Sequence, residues 1–550
     1  MSQQHIRPGL ASRDILESLR QSSGYFLTNN ERDVSQSDFK CRILPHTTLR
    51  AAPYRDETGY FAFEISGGAS VHMDLMYRHI NPLEKLRLVR QAMPQTLLQC
   101  ACRGRYLFGY RPYPDNVIKN TVRVFSRYVD VWKAYDFMNH VPNLEVLGRE
   151  VQDQDKIFMP SLCFSIGEQH TDAFYVGKVE EILRTFGQNI ILNIENHSGL
   201  GTPERIGELV QALKASYPDL LLAYHGHNTD GADLCRMVAA VKAGVTITEV
   251  ADHGLGGVFS PAPGLSLVQM LHDAGLQAPG LKIQPMLDAS DILRTEKRSY
   301  EPFETQFRGH DPTVKRHKLT GGAASLIFEQ AEQLGLLDRI HEVLDELAQV
   351  NQEMGDIWSI TPGSQILWST AVSNVLYGRY EQPSDDLERL LLGRYGPFPF
   401  YNPPEWIMEK VLQKKRPSDK GWQRILADEG GMGRSPDIDL EGKKDELQQR
   451  LGRPAEADEL ALYLLFPGDL VEYVRFRERF GKTWLLPPQV WFKKGGFADG
   501  TRISILDDFG KTHQLDIVST RQEEGRVKTS MLVDHHFQMY THTPSQGSGR

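Results

Sequence analysis

Short apolar runs recur through the first half of the chain and are separated by polar or amphipathic stretches. Runs of this kind, bounded by turn residues, are typical of buried parallel strands. Helical periodicity in segments such as Pro82–Gln91 and Pro203–Ala215 predicts helices between several of them. Strands alternating with helices predict an α/β fold, a TIM (β/α)8 barrel. The eight predicted strands are Ile43–Leu49, Phe61–Ile65, Thr96–Cys100, Val129–Tyr135, Phe158–Cys163, Ile190–Ile194, Leu220–Tyr224 and Val245–Val250.

The predicted first βα unit is modified. Between Leu49 and Phe61 there are too few residues for a helix and two turns, so we expect the first barrel helix to be missing. Beyond Pro285 long helical patterns dominate, and strand and turn signals follow from Thr483 to Val533. The predicted organisation is an N-terminal extension (1–40), the barrel (41–285), a helical domain completing the site (286–480), a small β-rich module (481–540) and a disordered tail (541–550).

Composition narrows the function classes. The 550 residues carry 62 Lys and Arg against 71 Asp and Glu, and the net charge of -9 argues against a nucleic-acid-binding surface. No apolar run approaches the length of a membrane span, and the N-terminus does not resemble a signal peptide. Five cysteines without a C-x-x-C pair predict neither a disulfide framework nor a thiolate zinc site. We therefore expect a cytoplasmic protein.

The candidate chemistry lies where the seventh apolar run ends. His225 and His227 follow Leu220–Tyr224 with i, i+2 spacing, so both imidazoles point to the same side of an extended strand. The carboxyl ends of the strands form the active face of a (β/α)8 barrel, and imidazole is a common ligand of divalent metals. Two interpretations stay open on this motif alone: a metal site, or two polar residues bonded to their neighbours.

Several motifs, in order along the chain, resemble those of biotin-dependent carboxyltransferases. The family includes pyruvate carboxylase, the oxaloacetate decarboxylase α subunit and the transcarboxylase large subunit. The resemblance runs from about residue 40 to 535, and the stretch from Leu485 onward looks like the small β region that precedes the biotin carrier in pyruvate carboxylase. The motifs that carry it are Gly67–Arg78, Asn81–Arg87, Ala92–Gln99, Arg103–Val117, Asp136–Asn139, Gly199–Pro203 and Ile360–Gln365.

The resemblance implies a metal centre with altered ligands. The family holds a divalent ion with an aspartate after strand one, a carboxylated lysine and two histidines, which match His225 and His227. The lysine of I-K-D-M-A-G-L-L-T-P is replaced by Glu195. Aligning T-x-L-R-D-A-H-Q with Thr47–Tyr54 puts Ala51 at the aspartate and Tyr54 at a substrate-binding glutamine. We therefore expect zinc, manganese, iron or cobalt on His225, His227 and Glu195.

Other residues have both a functional and a structural interpretation. His197 and His72 are further ligand candidates or polar loop residues. By resemblance, Arg50 and Arg103 organise the site and bind the carboxylate of an oxo acid, since guanidinium matches a carboxylate bidentately; the alternative is a structural salt bridge. Thr361 matches a threonine that shuttles a proton between biotin and the enolate; the alternative is a helix N-cap.

We expect a metal-dependent enzyme that acts on a small 2-oxo acid such as pyruvate or oxaloacetate, through an enolate, by carboxyl transfer or decarboxylation. No A-M-K-M sequence occurs, so biotin is expected only on a separate biotinyl carrier protein. The alternatives are a biotin-independent C–C lyase or aldolase, and a non-catalytic pseudo-carboxyltransferase that assembles with an active paralogue. Ala51, Glu195 and the missing helix favour the last. The family's habits imply a homo-oligomer.

Overall fold

The computed structural model describes residues 6–304, 309–413, 436–493, 497–506, 511–523 and 526–542. Three predictions concern residues outside these ranges. They are the turns that the sequence predicts at Lys494-Gly-Gly and Asp507-Asp-Phe-Gly, about half of the charged, glycine-rich stretch 416–456 that it predicts as a linker with some helix, and the end of the tail at 543–550.

Eight parallel strands close into a barrel, which confirms the predicted fold class. Every barrel strand is buried along its whole length, as expected for a parallel sheet covered by helices. Strand β1 closes the ring against β8, with Phe26 opposite Ile247 and Asn29 opposite Val250. The strands are β1 Phe26–Asn29, β2 Ala62–Gly67, β3 Leu97–Cys102, β4 Val131–Ala134, β5 Ile157–Cys163, β6 Ile191–Asn196, β7 Leu221–Gly226 and β8 Ile247–Val250.

Helices cover the barrel and form the region that follows it. Those within and around the barrel are α1 Ser12–Gln21, α2 Glu31–Phe39, α3 Pro45–Thr58, α4 Ser70–Met76, α5 Pro82–Ala92, α6 Asp115–Phe125, α7 Pro142–Asp153, α8 Asp172–Phe186, α9 Pro203–Ser216, α10 Asp233–Ala243, α11 Gly264–Asp273 and α12 Ile283–Lys297. The later ones are α13 Val314–His317, α14 Gly321–Gln333, α15 Ile340–Glu353, α16 Gly363–Tyr377, α17 Asp385–Leu391, α18 Glu405–Gln413, α19 Leu440–Leu451, α20 Ala457–Leu465, α21 Pro467–Phe480 and α22 Pro488–Trp491.

The first strand differs from the prediction. The barrel begins with β1, inside the stretch predicted as an N-terminal extension, and Ile43–Leu49 is not a strand. Pro45 starts helix α3, since its fixed φ and missing N–H suit the first helical position. The expected absence of a first barrel helix is therefore also wrong. The first unit is modified in the opposite sense, because two helices, α2 and α3, lie between β1 and β2.

The N-terminal helix seals the lower end of the barrel. Ile15, Leu16 and Leu19 of α1 are buried in one cluster with side chains from the barrel strands, including Phe26 and Phe61. An amphipathic helix placed there shields apolar strand side chains that would otherwise meet water. The opposite end, where the strands have their carboxyl termini, is left for polar side chains.

The last described part of the chain is a small antiparallel sheet of order β12-β11-β10-β9, as the sequence predicts. Its strands are β9 Arg502–Leu506, β10 Thr512–Glu523, β11 Arg526–Val533 and β12 His536–His542. None of the helices in the described ranges is long and apolar enough to cross a lipid bilayer.

Candidate metal centre at the carboxyl end of the barrel

The predicted histidine pair lies at the end of β7, and both rings are buried. His225 is the penultimate residue of the strand and His227 follows it, with ring centroids 5.0 Å apart. Both Nε2 atoms face one carboxylate oxygen, Oδ2 of Asp33, at 3.5 Å from His225 and 3.4 Å from His227. Among the described residues, these three are the one group of potential ligands whose donor atoms all lie within 4.8 Å of one another.

The start of helix α2, directly after β1, fixes the position of Asp33. Asn30 caps helix α2, because its side-chain oxygen accepts the backbone N–H of Asp33 at 2.9 Å. The carboxylate thus lies in the first helical turn, directly above the strand end. Ser37 donates to its Oδ1 at 2.5 Å, which leaves Oδ2 to the histidines and to Arg32 Nη2 at 3.1 Å.

This donor set suits a divalent metal ion. His225 Nδ1 donates to Glu249 at 2.7 Å and His227 Nδ1 donates to the Phe259 carbonyl, so in each neutral imidazole the lone pair that a metal can take is on Nε2. The Nε2 atom of His225 is buried and makes no hydrogen bond. Donors about 2.0–2.2 Å from a common ion lie roughly 3.0–3.5 Å apart, which agrees with the nitrogen-to-oxygen separations in the cluster. An unpartnered buried nitrogen opposite a carboxylate indicates the place of an ion.

A buried network of charged and amide side chains supports the centre from below. Glu249 on β8 accepts hydrogen bonds from His225, from Lys133 Nζ at 2.6 Å and from Gln99 Nε2 at 2.7 Å. Lys133 also contacts Glu64 at 2.8 Å. These side chains come from several different strands, so closure of the barrel itself fixes the orientation of the His225 ring.

Neighbouring charges shift the pKa values of Asp33 and His225. Burial alone would raise the pKa of Asp33, but Arg32 and the two histidines hold it well below the ordinary carboxyl value. Burial likewise opposes protonation of His225, yet Glu195 and Glu249 raise its pKa to about 9. The excess of carboxylates therefore favours a positive charge at this point of the barrel.

Glu195 stands beside the cluster, as the sequence predicts. It lies on β6 directly opposite His225 in the sheet register, and its Oε1 is 3.5 Å from His225 Nε2. Its other oxygen accepts from Asn193 at 2.7 Å. Glu195 therefore places a carboxylate oxygen beside His225, outside the group of three residues whose donor atoms are all within 4.8 Å of one another.

Arg103 lies at the end of β3 and is buried without an acidic partner. Its Nη1 donates to the carbonyl oxygens of Phe108 and Gly109, both at 2.9 Å, and its Nε donates to the Tyr135 hydroxyl at 3.3 Å. Among the described residues, no carboxylate lies within ion-pair distance of this guanidinium. Burial raises the pKa of Tyr135 to about 12, with Arg103 opposing and Glu195 adding to this shift.

The structure contradicts three site assignments on α3. Arg50 points outward, with 45% of its side chain exposed, and pairs with Glu296 of α12. Tyr54 is also exposed, and Ala51 lies in an apolar cluster between α3 and its neighbours. The assignments failed because Thr47-Thr48-Leu49-Arg50 imitates the start of T-x-L-R-D-A-H-Q, although this segment forms an outer helix.

Asp33 is the functional residue that the sequence reasoning missed, and a signal for it exists. Arg32, Asp33 and Gln36 reproduce the R-D-x-x-Q spacing of the motif. They follow β1, which has only four residues and two apolar side chains, and is therefore a weak strand signal. Once β1 is recognised, the aspartate position is Asp33 and the glutamine position is Gln36. Gln36 Oε1 accepts the backbone N–H of Ala69 at 3.2 Å.

The remaining candidates divide between support and other sites. His72 bonds to Asp469 at 2.9 Å and stacks on Phe466, so it ties α4 to α21 instead of binding a metal. His197 is buried, its Nδ1 is 3.3 Å from the Glu195 carbonyl, and burial lowers its pKa to about 3. Thr361 precedes a cis proline at the start of α16; in the described structure no hydrogen bond joins it to the metal centre. Its role in proton transfer stays a prediction.

Comparison with known proteins agrees with this architecture. Residues 314–516 match the conserved carboxylase domain family, and residues 152–297 match the HMGL-like family. A separate subunit of the pyruvate carboxylase of Methanothermobacter thermautotrophicus is 28% identical, over 81% of this chain and 76% of that protein. The large subunit of the 2-oxoglutarate carboxylase of Hydrogenobacter thermophilus is 26% identical, over 82% and 68%.

Longer relatives and solved structures extend the comparison. Pyruvate carboxylase 1 of Caenorhabditis elegans is 26% identical over 97% of this chain, which spans 47% of that protein's length. The carboxyl transferase domain of Rhizobium etli pyruvate carboxylase, solved with pyruvate and biocytin, superposes with a TM-score of 0.88 at 25% identity, over 98% of this chain and 92% of that one. The two family matches, the relatives along most of the chain and the shared fold confirm that this chain resembles the biotin-dependent carboxyltransferase family.

Proposed function

We propose that this chain is a divalent-metal-dependent carboxyltransferase that transfers a carboxyl group to or from a small 2-oxo acid of the pyruvate or oxaloacetate type. The observation that carries the proposal is the buried cluster of Asp33, His225 and His227, with an unpartnered His225 nitrogen at its centre. A divalent ion held there would supply Lewis-acid polarisation of the substrate carbonyl.

Arg103 gives the site its preference for an anion. A buried guanidinium that, among the described residues, is hydrogen-bonded to carbonyl and phenol oxygens and to no carboxylate keeps an uncompensated positive charge, which is costly unless an anion binds beside it. A substrate carboxylate satisfies that charge, and the planar fork orients it. We propose that Arg103 holds the carboxylate of the oxo acid while the carbonyl faces the cluster.

Biotin is the proposed second substrate. It would reach the site on a carrier, since a relative of similar extent is a separate pyruvate carboxylase subunit. The proposed partners are therefore a biotinyl carrier protein and, by the family's habits, further copies of this chain.

The structure changes the support for the two alternative functions, a non-catalytic subunit and a biotin-independent lyase. The non-catalytic interpretation rested on Ala51, Glu195 and a missing helix. Asp33 takes the place assigned to Ala51, and the helices of the first unit are present, so only Glu195 still favours it. A biotin-independent lyase or decarboxylase would use the same centre and is distinguished by its indifference to biotin.

The test is oxaloacetate decarboxylation, measured as pyruvate formation by protein loaded with zinc, manganese, iron or cobalt, with and without free biotin. We expect metal-dependent turnover that biotin stimulates. His225→Ala removes bound metal and turnover, and Arg103→Ala raises KM because the carboxylate loses its partner. Arg50→Ala, an arginine variant on the outer wall, is the matched control and retains both. Metal-dependent turnover without a biotin effect would favour the lyase, and no turnover with any metal would contradict an enzyme of this class.

A further inference from the structure

We infer that Glu195 serves as a fixed carboxylate of the metal centre, so that this chain loads its metal without carbon dioxide. The inference deepens the proposed function and rests on it. It follows from the one metal-ligand position of the family motif at which this chain carries a different residue, since Asp33, His225 and His227 supply the others.

The geometry directs one oxygen of Glu195 to the centre. Its Oε1 lies 3.5 Å from His225 Nε2, and Asp33 Oδ2 lies at the same distance from that nitrogen. The unpartnered His225 nitrogen thus faces two carboxylate oxygens. The separations from His225 agree with donors that share one ion at bond lengths of about 2.0–2.2 Å. Glu195 lies outside the group of three residues whose donor atoms are all within 4.8 Å of one another, so its side chain has to shift toward an ion that Asp33, His225 and His227 hold.

Asn193 of the same strand, β6, and Ser161 of the neighbouring strand, β5, contact the other oxygen. Asn193 Nδ2 donates to Glu195 Oε2 at 2.7 Å, and the Ser161 hydroxyl lies 3.5 Å from the same oxygen. Asn193 also donates to Ser161 at 2.9 Å, which fixes the amide itself. A carboxylate anchored through one oxygen presents the other in a constant direction, as supporting hydrogen bonds do for metal-bound carboxylates.

Chemistry separates this arrangement from a lysine at the same position. A lysine amine becomes an oxygen donor only after its neutral nitrogen adds to carbon dioxide, which forms one N–C bond and releases one proton. Glutamate is an ionised oxygen donor without any such step. The glutamate carboxylate also lies nearer the main chain than the carboxylate of a carboxylated lysine would, so its oxygen approaches the metal centre from the side of His225. The loading reaction therefore loses its dependence on carbon dioxide.

The test compares metal affinity with and without bicarbonate. Metal-free protein is titrated with zinc or manganese against a chromophoric chelator, in carbon-dioxide-depleted buffer and in buffer with added bicarbonate. We expect the same Kd in both buffers for the unmodified chain. Glu195→Gln should weaken binding about tenfold or more, with no recovery in bicarbonate. Glu208→Gln, the same substitution at an exposed position of α9, is the matched control and should leave the Kd unchanged.

A second measurement does not depend on a variant that folds. Metal-loaded protein is incubated with carbon-13 bicarbonate, and its NMR spectrum is searched for a protein-bound carbamate carbon, which we expect to be absent. A stoichiometric carbamate signal, a Kd that tightens with bicarbonate, or unchanged affinity in folded Glu195→Gln would each overturn the inference while the metal centre stands. Failure of the unmodified chain to bind any metal would instead overturn the proposed function.

Discussion

The hydrogen bond between Glu249 and His225 offers a quantitative test of how the barrel prepares its metal ligand. In Glu249→Gln the carboxylate that accepts His225 Nδ1–H at 2.7 Å becomes a neutral amide, which is a weaker acceptor. Loss of such a supporting partner typically lowers metal affinity by about 10- to 100-fold, or roughly 1.4–2.7 kcal/mol. Burial alone would raise the pKa of Glu249, but Lys133 and His225 lower it, so the group replaced is the charged form.

Glu64→Gln is the comparison variant for this prediction. Glu64 is equally buried, contacts Lys133 at 2.8 Å and accepts from Gln99 at 2.6 Å, as Glu249 does, and no contact between Glu64 and His225 occurs among the described residues. Glu64 also accepts from Arg32, whose guanidinium contacts Asp33. Each substitution removes one negative charge from the same network and leaves Lys133 with a single acidic partner. Breaking a buried ion pair costs about 3–5 kcal/mol. Because Glu64→Gln breaks the pair with Arg32 as well as the pair with Lys133, we expect the larger loss of unfolding free energy in Glu64→Gln.

The assay is a pair of measurements on each variant: metal Kd by chelator competition and unfolding free energy by urea titration of the metal-free protein. We expect Glu249→Gln to bind the metal about tenfold or more weakly than Glu64→Gln, although Glu64→Gln loses more stability. Equal affinities in the two variants would refute the argument, because the effect would then reflect charge alone and not orientation of His225.

Of two further predictions, the first concerns a contact at the metal centre and the second concerns the ion pairs of Asp356 with Lys318 and His170. Gly321→Ala places a Cβ against His227 Nδ1 and the carbonyl oxygen that accepts from it, so we expect weaker metal binding and a loss of about 1–3 kcal/mol of stability. Gly177→Ala is the control, because a Cβ at this helical position meets no other atom within 4 Å among the described residues. Equal metal affinities in the two variants would contradict the prediction for Gly321→Ala. Burial alone would raise the pKa of Asp356, but His170 and Lys318 lower it. The ionised carboxylate therefore stabilises the folded protein above the ordinary carboxyl pKa, and this stabilisation is lost as the pH falls. Asp356→Asn should therefore lower unfolding free energy by about 1–3 kcal/mol at pH 7, and urea titrations should show the gap closing below about pH 4; a gap that does not vary with pH would exclude this origin.

The sequence predicted those parts of the fold whose signal is local. The run Leu220–Tyr224 is long and apolar enough to mark a buried strand, and the spacing of His225 and His227 then fixes their common side. Strand β1 was missed because four residues with two apolar side chains resemble a turn. Its pairing with β2 and β8 stabilises it, and such tertiary pairing is not encoded in the local pattern.

The candidate site was predicted in the same uneven way. Glu195 was found because it follows a clear apolar strand and precedes a matching motif. The aspartate position of the family motif was assigned to Ala51 instead of Asp33, because a tetrapeptide similar to the start of the motif begins α3. Sequence resemblance alone did not show which of the two segments follows a strand. The role of Glu249 depends on a neighbouring strand that closes the barrel, so only the three-dimensional structure reveals its contact with His225.

The most direct measurement of the central claim is elemental analysis of the purified chain after metal loading and removal of loosely bound ions, beside His225→Ala and Asp33→Ala. We expect about one divalent ion per chain in the unmodified protein and almost none in either variant, with secondary structure unchanged by circular dichroism, since a site of two imidazoles and a carboxylate cannot lose one donor without a large loss of affinity. Full occupancy in both variants would show that the metal, if this chain binds one, lies elsewhere.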